Sequence, residues 1–158
     1  MAEIERGKPR PENDCYRILV LDDNVEQMRT LAEACKAIGQ EVVPVTTIAE
    51  GMHFLDTKDH VDLVVAEAFM EDESVFEFLK ELKSIEEHQN VPIMIVSVEP
   101  GPIARLTNEL VARTFKMLGA CKFVVMPRFE LAKLMDEIAA ALPREREPKK
   151  NSDPENAY

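Results

Sequence analysis

Basic side chains are scarce in this 158-residue sequence, which has 19 Lys and Arg against 30 Asp and Glu and a formal net charge of −11 at pH 7. Binding to a nucleic acid backbone or to an anionic membrane surface requires clustered positive charge. The composition therefore argues against both classes of partner, and it favours a protein partner or a divalent cation.

Long apolar runs are absent as well. No stretch approaches the roughly 20 apolar residues that cross a bilayer, and the N-terminus lacks the apolar segment of a secretory signal. We therefore expect a soluble, cytoplasmic protein. The length suits one domain with a substantial core and is too short for two comfortable ones.

Residues that commonly carry covalent or metal chemistry are few. The three cysteines, Cys15, Cys35 and Cys121, have no metal-ligand spacing, and the last two lie in apolar patterns typical of buried side chains. His60 and His88 fall in polar loops, and no Ser-His-Asp or Cys-His set is apparent. This scarcity argues against an enzyme that depends on such a set.

An apolar run that ends in two acids organises the rest of the chain. Residues 18–21 show no polar alternation, which is typical of a strand covered on both faces, and Asp22 and Asp23 follow directly. Ligands of open α/β sheets bind beyond the carboxyl ends of the strands. We therefore interpret the two acids as part of a site, while the competing interpretation is that they cap the following helix.

Four further apolar segments alternate with amphipathic ones. This alternation predicts an α/β fold of the flavodoxin-like, doubly wound kind, with a five-stranded parallel sheet and helices on both faces. We expect this domain at residues 15–142, between disordered segments at 1–14 and 143–158. The predicted strands are 18–21, 41–45, 62–66, 91–96 and 121–125, and the predicted helices are about 25–38, 48–55, 75–82, 103–118 and 129–142.

The motifs ILVLDDN, DLVVAE, VPIMIVS and GACKFVVMP occur in that order between about residues 16 and 142. Together they resemble the receiver domain of two-component response regulators. The resemblance implies that Asp22 and Asp23 match the acids that hold Mg²⁺ and that Ser97 matches the hydroxyl that contacts the phosphoryl oxygens. It also places Phe123 at the aromatic switch position and Pro127 at a proline that usually follows a cis bond.

Two positions depart from that pattern. Glu67 stands where the family has its phosphoacceptor aspartate, and Met126 stands where it has a phosphate-binding lysine. The additional methylene of Glu67 moves the accepting oxygen, a misplacement that can cost on the order of 100-fold in rate. The missing cation removes about 3 to 4 kcal/mol of electrostatic stabilisation. We therefore expect an atypical pseudo-receiver that is not phosphorylated at this position.

The acidic pocket of Asp22, Asp23 and Glu67 then has no fixed counter-ion. It should either hold a divalent ion such as Mg²⁺ or keep one carboxyl protonated above its usual pKa. A third interpretation is a solvated pocket with no ligand. Glu67 could also imitate a phosphorylated aspartate and bias the protein permanently toward one state.

The fourth predicted helix has an unusually wide apolar arc, extended by Val111, Phe115 and Leu118. These three side chains either pack in the core or form a partner surface. The resemblance implies that contacts, including those of a homodimer, use the fourth helix, fifth strand and fifth helix.

The leading hypothesis is a stand-alone pseudo-receiver, not an enzyme, that acts in signal transduction by phosphorylation-independent protein contact. The alternative is a metal-dependent small α/β enzyme, or a divalent-metal-binding protein, that uses the acidic crevice. A third hypothesis is a working receiver that is modified elsewhere, at Ser97 or Asp72.

Overall fold

The computed structural model describes residues 15–37, 39–57, 60–99 and 101–142. The terminal segments expected to be disordered, and Ile38 at the expected end of the first helix, lie outside these residues.

The described chain forms a five-stranded parallel sheet in the order β2-β1-β3-β4-β5. The sequence-based fold class is thereby confirmed. The strands are β1 Arg17–Leu21, β2 Glu41–Val45, β3 Leu63–Glu67, β4 Ile93–Val98 and β5 Lys122–Met126. The helices are α1 Val25–Ala37, α2 Ile48–Leu55, α3 Val75–Ser84, α4 Pro102–Met117 and α5 Leu131–Ala141, with a 3₁₀ turn at Glu86–His88.

The sheet separates two apolar cores. Successive side chains of a strand point to opposite faces, so Leu19 and Leu21 of β1 join one core whereas Ile18 and Val20 join the other. Each fully buried side chain of this kind contributes about 1.5 to 3 kcal/mol. The first core receives Leu55 of α2, Phe78 of α3 and Phe115 of α4, and the second receives Met28 of α1 and Leu134 of α5.

Strand β4 runs two residues further than the sequence predicted. Ser97 and Val98 still pair with Val125 and Met126 of β5. Ser97 therefore lies inside the strand rather than after it.

Two burial predictions were wrong. Cys121 is exposed, since it lies ahead of the edge strand β5 rather than within it. His88, assigned to a polar loop, is buried, and its Nε2 lies 3.1 Å from Oδ1 of Asp56 at the end of α2. Cys35 is buried as predicted. No helix within the described residues has the length and apolar character needed to cross a membrane.

Candidate functional site

The three acids of the predicted pocket lie at the carboxyl ends of β1 and β3. These strands are neighbours, and Leu21 pairs with Ala66 just before the acids begin. Asp22 and Asp23 thus follow one strand while Glu67 ends the adjacent one. The sheet topology alone is enough to gather carboxyl groups from positions 45 residues apart at one edge.

Asp22 is 8% exposed and uses both of its carboxylate oxygens. Oδ1 accepts the main-chain N–H of Asn24 at 2.9 Å, and Oδ2 accepts the side-chain amide of Gln27 at 2.8 Å. Burial raises the pKa of Asp22, although these two hydrogen bonds oppose the shift. These two hydrogen bonds therefore hold the Asp22 side chain against the first residues of α1.

Asn24, rather than either aspartate, caps α1. Its Oδ1 accepts the main-chain N–H of Gln27 at 3.0 Å, which is the bond that an N-cap side chain makes. Asp23 instead accepts the main-chain N–H of Glu71 at 2.9 Å. The capping interpretation of the two acids was wrong, because Asp22 braces the cap residue and Asp23 fixes the loop that follows β3.

Glu67 has the most strongly shifted pKa of the three acids. Burial, followed by the nearby carboxylate of Asp22, raises its pKa to about 8, against hydrogen bonds from the main chain of Val98 and Phe69. Its Oε2 lies 3.4 Å from the nitrogen of Val98. At neutral pH the carboxyl group is therefore mostly protonated, which agrees with the interpretation that one acid of the pocket keeps its proton.

Mg²⁺ prefers carboxylate oxygens and water in a regular octahedron, and both oxygens of Asp22 already accept hydrogen bonds. In the described part of the chain, no three His, Cys, Asp or Glu side chains are gathered so that they could hold a metal ion. A site made by Asp22, Asp23 and Glu67 remains a prediction.

The position expected to provide a cation provides a core side chain instead. Met126 is 1% exposed and packs in the second core, to which Val124 and Leu134 also belong. Within the described residues, none of the ion pairs involves the three acids. The acids therefore lack a fixed positive partner there.

Ser97 lies close to the same edge. It is fully buried, and its Oγ has no hydrogen-bond partner in the described structure. A buried hydroxyl without a partner costs about 1 to 3 kcal/mol.

The expectation of a cis bond before Pro127 was wrong, since no described peptide bond is cis. The trans form is the more stable one for a bond to proline. The carbonyl of Met126 accepts the main-chain N–H of Glu99 at 2.7 Å, and Glu99 has a φ of 49°. The loops that follow β4 and β5 are thus joined at Glu99.

Of the two interpretations of Val111, Phe115 and Leu118, the structure favours packing in the core over a partner surface. Phe115 is fully buried, and Val111 and Leu118 pack against the first core. Both arcs of α4 are apolar, and the arc carrying Phe115 faces the sheet. The opposite arc is exposed to solvent and carries Leu106, Leu110 and Met117, which are 85%, 60% and 80% exposed. We call these three residues the α4 stripe.

A cavity of about 450 Å³ at the amino ends of β3 and β4 was missed by the sequence reasoning. It adjoins two histidine–aspartate pairs, His88 with Asp56 and His60 with Asp62, at 3.1 and 2.8 Å. The residues are far apart in the sequence, and their spacing contains no signal of proximity. The lining comprises Leu55, Thr57, His60, Val61, Asp62, Glu87, His88, Asn90, Val91 and Pro92.

Comparison with known proteins identifies the fold. No protein-family model matches the chain, and no curated protein matches it. Solved structures do match: the chemotaxis response regulator CheY4 of Vibrio cholerae is 20% identical, with 81% of this chain and 99% of that chain covered and a TM-score of 0.67. A response regulator receiver protein from Pseudomonas putida is 22% identical, with coverage of 80% and 97% and a TM-score of 0.66.

The non-phosphorylated HemR receiver domain from Leptospira biflexa is 25% identical, with coverage of 82% and 97% and a TM-score of 0.63. These structural neighbours are CheY-like receiver domains, and the chain has their fold.

Proposed function

We propose that this protein is a signalling protein of the receiver type that acts through protein contact and does not accept a phosphoryl group at Glu67. The observation that carries the proposal is that both positions needed for phosphorylation are altered. Burial raises the pKa of Glu67 to about 8, and Met126 is a buried side chain without charge. The receiver fold of its neighbours supports the signalling class. The chemistry of Glu67 and Met126 supports a function that does not depend on phosphorylation.

Glu67 is poorly suited to accept phosphorus. A carboxyl group attacks a phosphoryl donor in its ionised form, and with a pKa of about 8 Glu67 is mostly protonated at neutral pH. Its carboxyl is also one methylene further from the main chain than that of an aspartate. Both properties act against formation of an acyl phosphate.

Met126 is poorly suited to stabilise a phosphoryl group. Phosphoryl transfer depends on positive charge placed at the oxygens where negative charge accumulates. The Met126 thioether has no charge and lies in the second core. The neutral form of Glu67 also lacks the negative charge of a phosphorylated aspartate, so we infer that Glu67 does not imitate that state at neutral pH.

The α4 stripe supports a protein partner. Leu106, Leu110 and Met117 lie within about 40° of one another around a helix of 3.6 residues per turn, and all three are exposed. Exposed apolar side chains clustered on one face commonly mark a contact surface. The partner is a protein in the cytoplasm, either another signalling protein or a second copy of this chain.

The test is the intact mass of the protein after incubation with acetyl phosphate and Mg²⁺. We expect the wild-type mass to stay unchanged, whereas Glu67→Asp with Met126→Lys should gain the mass of one phosphoryl group. Glu67→Asp alone is the matched control, because it restores the acceptor without the cation. An adduct on Glu67 of the wild-type chain would overturn the proposal.

Self-association of the purified chain tests the α4 stripe. Analytical ultracentrifugation of the wild type and of Leu110→Asp distinguishes a second copy from a different partner, because only self-association is visible with the purified chain. A wild type that self-associates and a variant that does not would identify the second copy as the occupant.

A further inference from the structure

The cavity at the amino ends of β3 and β4 presents more negative than positive side chains. Its lining includes Asp62 and Glu87, and the described residues that line it include no Lys or Arg. Asp56 adds a carboxylate beside the cavity through its contact with the lining residue His88. Glu87 is exposed and forms none of the ion pairs among the described residues. Since binding surfaces are commonly complementary in charge, the cavity favours a cationic occupant.

The apolar walls of the cavity suit the aliphatic part of a basic side chain. Leu55 and Val61 are buried members of the first core, and Val91 and Pro92 are partly buried. Lys and Arg side chains lay their methylene groups along apolar surface while the charged end stays near water and acids. The volume of about 450 Å³ is large enough for such side chains and too small for a folded element.

The first strand carries the N-terminal part of the chain to this cavity. The main-chain N–H of Arg17 donates to Oδ2 of Asp62 at 2.8 Å, and Nη1 of Arg17 donates to the carbonyl of His60 at 2.8 Å. Asp62 and His60 both line the cavity. In the sheet, β3 alone separates β1 from β4, a lateral distance of about 10 Å at the usual spacing of strands. The residues that precede Arg17 therefore start within reach of the cavity.

Those preceding residues contain a basic segment of suitable length. Residues 6–10, Arg-Gly-Lys-Pro-Arg, include three basic side chains and no acid. An extended chain advances about 3.3 Å per residue, so the chain from Cys15 back to Arg10 spans up to about 16 Å and exceeds the lateral distance. Pro9 and Pro11 restrict the backbone on both sides of Arg10, which lowers the entropy that is lost when the segment becomes ordered.

We propose that residues 6–10 of this chain occupy the cavity, with their basic side chains against the carboxylates of Asp62 and Glu87. A segment of this composition does not order by itself, but such segments can order on a complementary surface. The chain then covers its own amino edge, and any other cation must displace residues 6–10 to enter. The inference depends neither on the chemistry of Glu67 nor on the α4 stripe, so it can fail while the proposed function stands.

Limited proteolysis of the full chain by trypsin tests this inference. Trypsin does not cleave before proline, so the bond after Arg6 is its one site within residues 6–10. When docking is fast relative to cleavage, the rate of cleavage reports the undocked fraction. Mass spectrometry measures this rate, and cleavage after Lys150 in the C-terminal segment is the internal reference.

Two substitutions of exposed acids form a matched pair. Glu87→Gln removes a carboxylate of the lining, whereas Glu81→Gln removes one on α3 outside the lining. We expect Glu87→Gln to speed cleavage after Arg6 by about twofold to fivefold, the effect of losing one exposed ion pair, and to leave cleavage after Lys150 unchanged. Glu81→Gln should leave both rates unchanged.

Three results would overturn the inference. The first is an equal effect of Glu87→Gln and Glu81→Gln on cleavage after Arg6. The second is a common increase at Arg6 and Lys150 in Glu87→Gln, because the substitution would then act on the protein as a whole. The third is protection of Arg6 that grows with protein concentration, which would identify a second copy of the chain as the source of the segment.

Discussion

Oε2 of Glu67 lies 3.4 Å from the main-chain nitrogen of Val98, so the acid at the end of β3 contacts the end of β4. The bond to Val98 lowers the pKa of Glu67, yet burial and the carboxylate of Asp22 outweigh it. The acid that ends β3 therefore acts as a neutral hydrogen-bonding group at physiological pH.

The raised pKa of Glu67 predicts that stability falls as the pH rises. Below the ordinary value of 4.5 the carboxyl is protonated in both states, and between 4.5 and about 8 the unfolded chain loses the proton that the folded chain keeps. The unfolded state then binds fewer protons, so the free energy of unfolding decreases over this window. Urea denaturation across it should show Glu67→Gln gaining stability relative to wild type with rising pH, and a constant difference would contradict the assignment.

Loss of the cap at α1 should cost about 1 kcal/mol of unfolding free energy. Asn24→Ala removes the oxygen that accepts the main-chain N–H of Gln27. Glu33→Ala, at an exposed position of the same helix, is the control and should change stability by less than about 0.5 kcal/mol. Equal effects of the two substitutions in urea denaturation would remove Asn24 from this role.

The two arcs of α4 should respond differently to a charge. Phe115→Asp places a carboxylate in the core and should destabilise by at least about 3 kcal/mol. Leu106→Asp and Leu110→Asp alter exposed positions and should leave the melting temperature nearly unchanged, while weakening any complex that uses the α4 stripe. Calorimetry of the three variants measures this difference, and a stripe variant that melts like Phe115→Asp would show that the stripe is buried.

Thiol reactivity should separate the three cysteines. Burial raises the pKa of Cys35 to about 11, whereas Cys15 and Cys121 are exposed. Since the thiolate is the reactive species, a chromogenic disulfide reagent should titrate two thiols in the native protein and the third only after denaturation. Fast reaction of all three in native buffer would contradict the burial of Cys35.

Periodicity in the sequence was sufficient to predict the sheet and its helices, because apolar spacing is a local property of strands and helices. The cap at Asn24 could also be predicted from the sequence, since a glutamine three residues later is a known capping signal. The sequence did not indicate which arc of α4 is buried. Both arcs are apolar, and the choice between them depends on Phe76 and Phe123, which are distant in the sequence.

The sequence predicted the residues of the candidate site and gave a retained proton as one alternative, but it did not predict which acid keeps that proton. The strand ends placed Asp22, Asp23 and Glu67 correctly at one edge, since a parallel sheet gathers them there. Which acid keeps a proton depends on burial by other elements. The position of Ser97 depends on how far β4 pairs with β5. Both the protonated acid and the position of Ser97 are thus determined by contacts between residues that are distant in the sequence.

The proposed function depends most on the protonation state of Glu67, which a carbon-13 NMR titration of its side-chain carboxyl measures directly. The resonance should be assigned by its loss in Glu67→Gln. We predict a titration midpoint near pH 8. A midpoint near the ordinary value of 4.5 would mean that the group is an ionised carboxylate at neutral pH, and it would contradict the account.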